Sequence, residues 1–123
     1  MVSVFASSGL GQTVTPIGRA GSIHGHTGQH FITDGSINGG KILNTFIDSF
    51  DQHSSKYYKS SRLIPQFPWE SMFVPIATWM GVPDSELNFI FPNLKPFQEV
   101  KDGFIIKPEE LFKPGSLVPL VPR

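Results

Sequence analysis

Three histidines and an aspartate, His24, His26, His30 and Asp34, fall within eleven residues of a glycine-rich run. Imidazole and carboxylate are common protein ligands of zinc and iron, so this composition suits a divalent metal. In an extended chain residues i and i+4 share a face, which would let His26 and His30 converge. The competing reading is loop histidines that face solvent or hydrogen-bond locally, with Asp34 before Gly35 as a turn former. Gly9, Gly11 and Gly39-Gly40 could offer backbone amides to an anion. No Lys-Ser/Thr follows them at phosphate-loop spacing, so tight turns account for them better. Ser7 and Ser8 end a strand-like stretch, but no Gly-x-Ser-x-Gly elbow surrounds them, and nucleophilic catalysis is not expected there. The chain has no cysteine, which removes thiolate ligands, disulfides and thiol nucleophiles.

Aromatic side chains are the second candidate set, because they dominate contact surfaces. Trp69, Phe73 and Met80 read as one helical core face, whereas Trp79 lies off its centre and is more open to an interface role. Tyr57 and Tyr58, flanked by Lys56, Lys59 and Arg62, form either a small basic-aromatic contact patch or part of a solvated loop.

These residues need elements to hold them. Val2 to Ala6 reads as a short buried strand and His30 to Thr33 as a second. Asp34-Gly35 and Asn38-Gly39-Gly40 bracket a reversal leading into Lys41-Ile42-Leu43. Residues 48–62 are polar and read as an exposed loop. Trp69, Met72, Phe73, Ile76, Ala77 and Met80 recur at helical spacing. Pro68 suits the first turn, Glu70 the positive end and Gly81 the stop, while Pro75 should kink the helix near Ser71. A second short helix is expected from Pro83-Asp84-Ser85, carrying Leu87, Ile90 and Phe91 inward before Pro92. Pro108 to Phe112 reads as one last helical turn.

Composition narrows the function classes. With 12 glycines and 11 prolines in 123 residues, long helices are not expected. Lys+Arg and Asp+Glu number 10 each and form no like-charge block, so the electrostatic footprint of a nucleic-acid binder is missing. No apolar run approaches the roughly 20 residues of a membrane helix, and the N-terminus reads as lacking a secretory signal. Leu120-Val121-Pro122-Arg123 matches the recognition sequence of the protease thrombin. Residues 114–123 are therefore expected to be an extended tail, either native or the remnant of a cleaved tag.

Taken in order, Ser7-Ser8-Gly9-Leu10-Gly11-Gln12-Thr13, His24-Gly25, the Gly39-Gly40 turn, Trp69 through Gly81-Val82, and Phe91-Pro92-Asn93 resemble the C-terminal part of the domain of unknown function 1501 family. That family is sulfatase-like and belongs to the alkaline-phosphatase superfamily. The resemblance runs from residue 2 to about 112 and covers only the last part of a family member. Its first stretch usually reads Ser-Glu-Phe-Gly-Arg-Thr and its second Asp-His-Gly. Gly9, Gln12 and Ile23 stand at the glutamate, arginine and aspartate positions, and His24 alone retains its polar type. Isoleucine and glycine offer a cation no side-chain donor, and glutamine lacks the fixed positive fork of arginine. The family's nucleophile and the rest of its metal site would lie N-terminal to the part this chain resembles.

The resemblance implies an α/β fold: a loop-rich C-terminal portion of a three-layer alkaline-phosphatase-like domain, over residues 1–113, with few short strands, one kinked helix and one short helix. It implies a non-catalytic structural or interaction subunit held with other protein subunits, without a cofactor. The alternative is the C-terminal half of a split or truncated hydrolase that uses a divalent metal.

Overall fold

The computed structural model describes residues 3–7, 11–13, 16, 21–22, 24–25, 27–45, 48–51, 53–58, 62–100 and 103–116. They form a small mixed α/β protein with a few short strands and four helices. Two compact units are distinguished: Met1–Asp34 with Asn44–Gln66, and Gly35–Leu43 with Phe67–Arg123.

In the first unit, β1 (Val4–Ala6) pairs antiparallel with β2 (Phe31–Thr33), in the register Val4↔Thr33, Phe5↔Ile32 and Ala6↔Phe31. Both strands lie within the stretches expected for them, but Val4, in the strand expected to be buried, is 49% exposed. A hairpin pairs β3 (Tyr57–Tyr58) with β4 (Arg62–Leu63), and the Ile64 N–H donates to the Lys56 carbonyl at 2.8 Å. Part of the stretch expected to be an exposed loop is therefore ordered, and Leu63 is buried. Before it, Asp51 builds a local turn by accepting from the His53 N–H at 2.9 Å, as aspartate does where it mimics a backbone turn.

The second unit is helical. α1 (Glu70–Trp79) follows Pro68, whose carbonyl accepts from Ser71 N–H at 3.1 Å. It stops at Gly81, which takes φ 95°, a left-handed value that costs a glycine little. There Gly81 N–H reaches the Thr78 carbonyl and Val82 N–H the Ala77 carbonyl, each at 3.0 Å, the paired bonds of a Schellman end. Pro75 is fully buried in the middle of α1 and has no N–H to give the Ser71 carbonyl four residues back. The Ile106 N–H fills that place at 3.1 Å, so the carbonyl freed by the proline fastens residues 103–106 to the helix.

α2 (Asp84–Ile90) begins after Pro83 as expected and buries Leu87; Ile90, expected inward, is instead 46% exposed. Chain reversal at Pro92-Asn93 brings Leu94 into the core, and α3 (Lys95–Glu99) grows from it, with Phe97 and Gln98 N–H both donating to the Leu94 carbonyl. Nothing in the hydrophobic spacing announced this helix, because only Phe97 lies on an inward face. α4 (Pro108–Leu111) is the expected last turn, its N-terminus closed by Glu110 accepting from Lys107 N–H at 2.8 Å.

The core of the second unit is Val74, Leu87 and Leu94, with Ala77, Val82, Phe91 and Ile105 against them. Ile37 bridges Phe112, Asn38 N–H donates to the Leu111 carbonyl and Lys113 N–H to that of Ser36. Residues 36–38 thus pair with the end of α4, and the expected reversal into Lys41-Ile42-Leu43 forms no strand; Ile42 is 92% exposed.

The core face of α1 differs from the one its periodicity suggested. Ser71, Val74 and Pro75 are buried, while Trp69 is 50% and Met80 71% exposed and Phe73 is half-buried. The helix is apolar over most of its circumference, so spacing alone does not choose a face. The buried proline and its Ser71 carbonyl, tied to Ile106, fix the choice.

Candidate functional site

The stretches that carry the candidate ligands cross in the first unit. Gln12 and His24 form an isolated antiparallel bridge, and Gly25 N–H donates to the Gly11 carbonyl at 2.7 Å. Two glycines permit this crossing. A Cβ built on Gly11 would stand 1.7 Å from the Thr27 carbonyl oxygen, and one on Gly25 would stand 3.0 Å from that of Gln12. Close backbone approach, rather than an anion cradle, explains glycine at both positions.

Around the crossing, Ser22 Oγ donates to Gln12 Oε1 at 2.9 Å, and the Gln12 and His24 side chains are exposed. A neutral amide therefore sits beside the histidine, where the resemblance would expect an arginine fork. Gly9, Ile23 and His26 lie outside the described residues, as does the tail 117–123.

His30 is half-buried one residue before β2 and stacks on Phe5 of β1, with ring centroids 6.3 Å apart and planes 29° from parallel. Burial disfavours its charged form and lowers its pKa from the ordinary 6.5. Asp34 accepts a hydrogen bond from Ser3 Oγ. That contact ties the residue after β2 to the one before β1, consistent with a positioning role for the carboxylate. Among the described residues, no three His, Asp or Glu side chains gather as a group able to hold a metal ion.

A second polar cluster, missed by the sequence reading, lies before the hairpin. His53 Nδ1 meets Asp51 Oδ1 at 3.1 Å, and hydrogen bonds from His53, backbone first, hold the Asp51 carboxyl below its ordinary range. Lys56 Nζ pairs with Asp48 and lowers that carboxyl by hydrogen bond and charge. Both carboxylates are fully accessible, so these pairs are surface turn chemistry. An Asp-x-His and an Asp eight residues before a Lys are the only sequence signals they leave.

Tyr57 and Tyr58 lie in β3, opposite Leu63 and Arg62 respectively, so Tyr58 and Arg62 are cross-strand neighbours. Lys56, at the edge of that patch, is engaged by Asp48, and Lys59 lies outside the described residues. Trp79 is half-buried in the second unit. Its ring stacks on Phe112 at 5.1 Å and 6°, and Nε1–H donates to the Ser116 carbonyl at 2.7 Å. Both the face and the polar edge of the indole are thus engaged within the chain, and part of the stretch expected to be an extended tail is tied to α1. Trp69 remains the more open indole, tilted against Phe73 at 5.5 Å.

Comparison of the chain with protein-family models, with curated proteins and with solved structures returned no match.

Proposed function

We propose that this chain is a non-catalytic structural or interaction subunit, derived from a sulfatase-like hydrolase fold and held in a larger assembly. The observation that carries this reading is exposed apolar surface. Phe89 is 85%, Met80 71% and Phe31 62% exposed, and Ile42 is more exposed still. Scattered exposed hydrophobes are normal on a monomer, but aromatic side chains exposed this far are costly in water and favour burial against other subunits. The formal charge of zero adds no repulsion to oppose association. The polar crossing at Gln12 and His24 supports the non-catalytic part, because a neutral amide, engaged by the Ser22 hydroxyl, stands beside the imidazole where the resemblance implies an arginine.

The test is the behaviour of the purified chain alone. It should self-associate in light scattering, or exchange its amides quickly, until its partner subunits are added. A monomer with one sharp, cooperative unfolding transition would overturn the assembly reading. Hydrolysis of an aryl sulfate or phosphate ester by the purified chain would overturn the non-catalytic one.

A second reading is favoured by one observation, the Gln12–His24 bridge. It sets side by side the two stretches that the resemblance assigns to a hydrolase site. On this reading the chain is the C-terminal half of a split hydrolase, with the nucleophile and the remaining ligands of a divalent metal on another chain. It predicts co-purification with a larger serine- or threonine-bearing partner, and metal retained by the pair but not by either chain alone.

A further inference from the structure

We draw no further inference here: the strongest candidate, the apolar groove of about 220 Å3 between α1, α3 and residues 103–105 that Val74, Leu94, Phe97 and Phe104 line, carries nothing because nothing in the structure shows what covers it.

Discussion

The two units are held by different physics. Of the eight buried hydrophobic residues among those described, only Leu63 belongs to the first unit; the other seven lie in the second. The second unit is assembled by side chains leaving water, on helices whose ends are closed by defined hydrogen bonds. The first relies on backbone meeting backbone: a three-residue ladder, a two-residue hairpin, and a crossing that only hydrogen at Cα allows. Two-stranded sheets are marginal by themselves in water. Among the described residues, those that look chemical in the sequence therefore sit in the unit with the fewer buried apolar side chains.

The sharpest way to break that comparison is to remove one side chain from the second unit. Leu94 is wholly buried and is packed with Val74 and Leu87. Leu94→Ala should lower unfolding stability by about 2–5 kcal/mol, from lost transfer energy and the cavity left behind. A denaturant melt followed by Trp79 fluorescence reads this. A loss below about 1 kcal/mol would mean that the core collapses around the gap and does not support the unit.

For the first unit the corresponding test adds an atom. Gly11→Ala places a methyl where the Thr27 carbonyl oxygen stands, so the crossing must open. Overpacking of this kind costs about 1–3 kcal/mol. The Gly25 amide, bonded to the Gly11 carbonyl, should then exchange faster with solvent. Unchanged protection at Gly25 would show that the crossing is not what holds the two stretches together.

Ser71→Ala should act in the opposite direction. Ser71 is 3% exposed, and its hydroxyl is buried with no hydrogen-bond partner among the described residues. Removing an unsatisfied buried polar atom should raise stability by about 1 kcal/mol, and alanine is also the better helix former. The melt described for Leu94→Ala reads this as well. A destabilised variant would reveal a partner for Oγ and weaken the view that this face of α1 is apolar packing alone.

Much of the fold was legible in the residues, and the gaps have physical causes. Val4–Ala6 and Phe31–Thr33, the start of α1 just after Pro68, its stop at Gly81, α2 after Pro83 and the turn at Pro108 all follow from local signals: short apolar runs, proline at or before the first turn and glycine after the last. Which face of α1 is buried was not local information. It depended on the Ile106 N–H reaching the carbonyl that Pro75 leaves free, a contact more than thirty residues away. α3 was hidden because its burial is anchored by Leu94, outside the helix itself. For the candidate site, the spacing of His26 and His30 would let the two converge if residues 26–30 were extended. His26 lies outside the described residues; His24 is exposed at the bridge to Gln12, and His30 stacks on Phe5. The meeting of Gly11 with Thr27 could be anticipated only as glycine at both crossing stretches.

The smallest expected effect concerns pH and the first unit. His30 is more stable neutral than charged where it stands, because burial strips water from the imidazolium. Its folded pKa lies below the ordinary 6.5, so between the two values the unfolded chain binds more protons than the folded one. The stabilisation is present above pH 6.5 and drains away as pH falls below it. Asp48 and Asp51 have the same sign in a lower window: their pKa values are depressed below 3.8, and what they contribute fades only as pH falls below that. Because His30 is only half-buried, the effect should be modest and should appear first in the amides of the β1–β2 ladder. The measurement is exchange of the Phe5 and Ile32 amides across mildly acidic pH, corrected for intrinsic rates, in the native chain and in His30→Gln. Protection should fall with pH in the native chain and stay flat in the variant. Parallel loss in both would move the acid sensitivity of the β1–β2 pairing to groups other than His30.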